Sequence, residues 1–264
     1  MTRDRSSAYT TELIKVAGIV SESIELLRIW QPGMRAAQLR DLAIQEGSLA
    51  KESSDRVWVM VLYGFGLRYL GEGQRPARLL KHLVDANASV GLLRQLFSIY
   101  TARINGLFAD AASELYWVLA AQGVTELLRE QLLSYIGSKV GTPKLPKAWS
   151  EQAAGRVASG LLKTFVDFGY AAQGRGVSRP LTPPRMLPQT AAFIAYEARE
   201  RGIPDSAICD ERAFALFGLD RHGALGELAG ISGRGYLIAQ SAGDLVRVSF
   251  IFKTMEEFLD AVAH

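Results

Sequence analysis

The stretch "LLRQLFSIYTARINGLFADAASELYWVL" (residues 92–119) repeats apolar side chains at steps of three and four. That is the spacing of one face of an α-helix. Leu92, Leu96, Ile99 and Ile104 form one stripe; Leu115, Val118 and Leu119 form a second; Leu127, Leu128, Leu132 and Ile136 form a third. The alternation expected of a half-buried strand is nearly absent through residue 138. This part of the chain therefore has to bury its apolar faces by packing helix on helix. At 264 residues, with 48% apolar and 22% charged side chains, there is enough material for a core.

Local punctuation divides the pattern. A helix is expected over 8–30, with Ile14, Ile19, Ile24, Leu27 and Trp30 among its apolar positions and Gly18 as a break. "QPG" stops it, and a helix over 35–46 follows with Leu39, Leu42 and Ala43 inward. After "EGS", Ser53 or Ser54 caps a long helix reaching Leu70. Helix, short glycine turn and helix are compatible with a helix-turn-helix, although an ordinary helical hairpin fits as well. "GEGQRP" breaks the chain, and helices over 76–86, 89–105, 107–121 and 125–139 complete the first part.

The second part begins with the Pro-punctuated arm "GTPKLPKAWS". Ser150 caps a helix over 151–168 that points Val157, Leu161, Leu162, Phe165 and Phe168 inward. Gln152, Arg156, Ser159 and Lys163 then fall in one line on the opposite face. "YAAQGRGVSRPL" reads as a short hairpin turning at "QGRG". A helix over 189–201 and short helices over 209–217 and 221–230 come next. "GYLIAQ" and "LVRVSFIF" form a hairpin through "SAGD", with Gly243 in the turn, and Thr254 caps a closing helix. The expected fold is mainly α: a helical bundle with helix-turn-helix or winged-helix units and one or two short β-hairpins. Three segments are expected: 1–138, a helical bundle; 139–188, a basic winged-helix segment; and 189–264, a helical unit with a hairpin.

Charge sharpens the division. The net charge is +3 overall, but +1 over 1–138, +6 over 139–188 and −4 over 189–264. A local cationic stripe argues for a polyanionic partner better than a global balance does. Helix followed by basic-tipped hairpin is the tail of a winged helix, whose helix enters a DNA major groove while the wing holds phosphate. The candidate DNA-binding residues are accordingly Lys144, Lys147, Gln152, Arg156, Ser159, Lys163, Arg175 and Arg179.

Catalytic and membrane classes find little support. His82, His222 and His264 form no metal-binding pattern, and the single Cys209 excludes an intramolecular disulfide and reads as a buried thiol. There is no phosphate-binding loop signature, and the glycines of "GISGRGYL" read as a turn. Trp30, Trp58, Trp117 and Trp149 are expected to pack into helix faces. The most apolar run, 57–67, is 11 residues long between Arg56 and Arg68, too short for a span. No secretory signal is visible in the polar residues 1–12, so a soluble, cytoplasmic protein without a cofactor is expected.

The order and spacing of "YTTELIKVAGIVSESIELLRIW", "GFGLRYL", the 92–119 stretch, "LKTFVDFGYA", "ERAFALFGLDRHGALGELAG" and "VRVSFIF" resemble BrxA, a small component of BREX bacteriophage-defence systems. The resemblance covers nearly the whole chain. It implies an all-helical protein with helix-turn-helix features that binds double-stranded DNA, has no enzymatic activity of its own, and works beside a methyltransferase and other BREX components. A proposed likeness of the family to the NusB fold keeps RNA open as a ligand. Its surface would then lie on the bundle around Arg94 and Arg103. A third reading is a protein–protein adaptor that docks through the acidic 189–264 segment.

Overall fold

Helices α1 (Val20–Ile29), α2 (Ala36–Glu46), α3 (Ser54–Val59), α4 (Leu67–Tyr69), α5 (Arg75–Asp85) and α6 (Val90–Ile104) open the chain. Then follow α7 (Gly106–Asp110), α8 (Trp117–Ala121), strand β1 (Glu126–Leu128), α9 (Arg129–Ser138), α10 (Glu151–Asp167) and strand β2 (Ser178–Pro180). The chain closes with α11 (Pro188–Glu200), α12 (Asp205–Ile208), α13 (Arg212–Ala215), α14 (Arg221–Gly230), strands β3 (Leu237–Ala242) and β4 (Leu245–Phe250), and α15 (Met255–Val262). The computed structural model describes residues 8–49, 52–242 and 245–263. Among these the fold is mainly α, with two small two-stranded antiparallel sheets. One continuous apolar core runs from Tyr9 to Val262 and draws on all three charge segments.

The caps form where short polar side chains precede apolar runs. Ser53 Oγ accepts the Arg56 N–H, Ser150 Oγ that of Ala153, and Thr254 Oγ1 that of Glu257. Each satisfies one backbone donor that helix geometry leaves orphaned.

Two π-helical turns change the reading of long helices. Met60–Gly66 joins α3 to α4, and Ala111–Tyr116 joins α7 to α8. A π-turn inserts extra backbone and rotates every later side chain about the axis. Val118, expected inside by simple periodicity, is 50% exposed for this reason, while Tyr116 is fully buried.

The expected helix over 125–139 is also corrected. Residues 126–128 are β1, paired antiparallel with β2 (Leu127 opposite Arg179), and the helix begins only at Arg129. Tertiary pairing overrides local helical preference here. The 170–182 segment turns back on itself as expected: Ala172 N–H reaches Pro180 O at 2.8 Å and Thr182 N–H reaches Tyr170 O at 2.8 Å. Its returning strand thus joins the end of the first segment to the second. In the other hairpin, Leu237 pairs with Phe250 and Ala242 with Leu245. The expected turn residue Gly243 lies outside the described residues.

The break at Gly18 has a tertiary cause. The Gly18 N–H donates to Asp167 Oδ2 at 2.9 Å, and its carbonyl accepts from the buried Arg68 guanidinium at 2.8 Å. A Cβ at Gly18 would sit 2.4 Å from the Cβ of Asp167. The peptide is clamped from both sides and cannot join a helical ladder. Arg68 also donates to the carbonyls of Val16 and Ala17. Arg68, which ends the apolar run in sequence, is 6% exposed and anchors the segment before α1. Its burial disfavours the charged form, and three carbonyl acceptors replace the lost water.

Candidate nucleic-acid interface

Helix α10 is amphipathic along its whole length. Val157, Leu161, Leu162, Phe165 and Phe168 are buried, as the periodicity requires. Gln152, Arg156, Ser159 and Lys163 are all exposed on the other side. They lie together along the floor of one open cleft of about 760 Å³. From Gln152 to Lys163 the floor runs about 16 Å, at 1.5 Å per residue.

The walls bring in residues that the sequence did not suggest. Lys15 and Arg56 line one side and Arg129 lines another. The cleft therefore carries five cationic side chains, Lys15, Arg56, Arg129, Arg156 and Lys163, and one carboxylate, Glu151. Arg129, Ser159 and Lys163 are shared with a neighbouring hollow of about 450 Å³ that reaches Arg179 on β2. The Arg156 and Lys163 side chains make no ion pair among the described residues. Lys163 and two backbone N–H groups draw the Asp167 carboxyl down, but burial prevails and holds it above its ordinary range.

The wall that carries Lys15 is fixed by close contact. A Cβ on Gly160 would lie 2.2 Å from the Leu13 carbonyl oxygen, so only glycine lets this segment cross α10. Arg56 donates to the Lys15 carbonyl at 2.7 Å, which ties α3 to the same wall. The face of α10 is thus a floor between walls and does not project as a ridge. A phosphate chain lying in the cleft reaches these cations. A helix inserted into a major groove needs a projecting face, so the geometry favours backbone contact over groove reading.

The other expected residues are placed differently. Lys144 is drawn into the fold: its Nζ lies 2.5 Å from Asp110 Oδ2, a 2% exposed carboxylate that also accepts from Tyr9 Oη at 2.8 Å. Lys147 is exposed in the arm before α10, outside the cleft lining. Arg175 is exposed at the hairpin turn, and Arg179 donates from Nη1 to the Gly176 and Ser178 carbonyls at 3.0 and 2.6 Å. Arg94 and Arg103, the pair that would mark a surface on the bundle, stand nine residues apart on α6 and so face roughly opposite ways at about 100° per residue. Arg103 is also bonded to Glu197. Pairing across the fold is invisible to periodicity, and only the sequence-local part of the cluster was legible.

The BrxA family model matches residues 7–198. The chain belongs to the BrxA family. The match holds every residue of the cleft, from Leu13 to Arg179. BrxA membership implies an accessory role in BREX defence and carries no general assignment of catalytic activity. No curated protein matches the chain. Among solved structures, the crystal structure of an uncharacterized protein from Magnetospirillum magneticum is similar: 79% of this chain and 97% of that one superpose with a TM-score of 0.58 at 16% identity. That likeness is one of fold alone. No helix among the described residues is long and apolar enough to cross a membrane.

Proposed function

We propose that the protein is a non-catalytic DNA-binding accessory component of a BREX defence system, and that it holds a phosphodiester backbone in the cleft over α10. The observation that carries this reading is the convergence of Lys15, Arg56, Arg129, Arg156 and Lys163 on one open surface whose lining holds a single carboxylate, with Arg56 and Arg129 also reaching Glu52 and Glu130 at 3.9 and 3.5 Å. Arg179 extends the positive track, while Lys147 and Arg175 are exposed in the chain before and after α10, outside the cleft lining. Gln152 and Ser159 offer neutral donors on the floor. Lys144 contributes to stability instead, through Asp110.

Fluorescence anisotropy with labelled DNA at several salt concentrations tests the reading. Six cations each releasing a counterion give a log–log slope of about −5 on duplex and about −4 on a single strand. Arg156→Ala with Lys163→Ala lowers affinity and reduces the slope by about 2 in magnitude. Binding indifferent to salt, or unchanged in the double variant, overturns the assignment. The bundle surface of the RNA reading has less support, because Arg103 is neutralised by Glu197.

A further inference from the structure

Trp58 does not pack into the core as its helical position suggests. It is 38% exposed, while Trp30 is fully buried. Leaving part of an indole in water forfeits apolar burial that a large aromatic side chain normally supplies. A lone exposed apolar residue needs no explanation, but Trp58 is not isolated. Its ring meets Tyr63 edge-on, with centroids 5.3 Å apart. Over the Tyr63 ring, 3.9 Å from its centroid, sits the ammonium of Lys15, a wall residue of the cationic cleft. Neither ring lines the cleft itself, and Arg56, which does, stands about 200° round α3 from Trp58, so the rings meet the track through Lys15. The aromatic pair thus continues the positive track beyond its wall.

A cationic groove edged by exposed aromatic rings is the combination that grips unpaired nucleic acid: charge follows the backbone, and a ring takes the face of a base. In a continuous duplex the base faces are already stacked and out of reach. We propose that Trp58, held edge-on by Tyr63, stacks on an unpaired base of the strand that lies in the cleft. The preferred ligand is then DNA with at least one strand unpaired. This rests on the cleft being a phosphate-binding surface.

The test compares three labelled ligands of one length on the full chain: oligo-dT, an abasic phosphodiester strand and a closed duplex. The wild type binds oligo-dT about 5- to 150-fold more tightly than the abasic strand, the range expected for one stacked base. Trp58→Ala brings oligo-dT binding down to the abasic level and leaves abasic binding unchanged. Trp58→Phe keeps most of the preference. Equal wild-type binding of oligo-dT and abasic strand, tighter binding of the closed duplex than of oligo-dT, or an equal loss on both strands in Trp58→Ala each overturns the proposal. If the abasic strand still binds and loses affinity in Arg156→Ala with Lys163→Ala, the phosphate reading survives and only stacking has failed. If no strand binds, both have failed.

Discussion

The cations of α10 and those around Asp110 and Glu197 are alike in chemistry and opposite in circumstance. Arg156 and Lys163 stand in water and form no ion pair among the described residues. Lys144 and Arg212 converge on Asp110, and Arg103 binds Glu197 through both of its terminal nitrogens. Asp110 is 2% and Glu197 4% exposed. A buried carboxylate tolerates loss of water only when donors surround it. The partners of Asp110 come from residues 9, 144 and 212, and those of Glu197 from α6, so these clusters tie distant parts of the chain together. An unpaired cation on an open floor stabilises nothing in the fold and remains available to an outside anion. Charge counted along the sequence cannot separate the two kinds, because pairing is decided between residues 34 to 102 positions apart.

Glu197→Ala tests the structural side most severely. It strands Arg103 and the Tyr100 hydroxyl, and is expected to cost about 3–5 kcal/mol in chemical denaturation with no change in the salt slope of DNA binding. The pH dependence follows from the same contacts. Burial pushes the Glu197 carboxyl up, but Arg103 and Tyr100 outweigh it and hold it below its ordinary 4.5. A depressed folded-state pKa stabilises the fold above the unfolded value, and that contribution is lost as pH falls through the folded value. The stability gap between wild type and Glu197→Ala therefore narrows on acidification below about pH 4.5.

A milder version is Lys144→Ala. Asp110 keeps Tyr9 and Arg212, so the expected loss is about 1–2 kcal/mol by thermal melting, again with the salt slope intact. A changed slope would move Lys144 to the binding side of the comparison. The smallest stability effect belongs to Arg156→Ala with Lys163→Ala, within about 0.5 kcal/mol of wild type. The same variant shows the reduced slope given above. A large loss of stability there would break the comparison, since it would mean that the cleft cations hold the fold.

Much of the cleft floor was legible in sequence because it lies on one helix. Spacings of four, three and four put Gln152, Arg156, Ser159 and Lys163 in line, and the apolar register of Val157, Leu161 and Phe165 fixed which way that line faces. The walls were not legible. Lys15 reaches the cleft because Gly160 admits the Leu13 backbone, and Arg56 because its guanidinium meets the Lys15 carbonyl. Nor was the exposure of Val118, which depends on a π-turn that no 3.6-residue period contains.

The amino-acid order alone determined a mainly helical chain, its caps at Ser53, Ser150 and Thr254, and the outward line of α10, since each depends on neighbours within a turn or two. The fold in three dimensions decided which cations are spent and which are free. It buried Arg68 as an anchor, drew Lys144 onto Asp110, and set Trp58 beside Tyr63 and Lys15. The physical reason is that desolvation and ion pairing depend on distance through space. Chain separation places no bound on either.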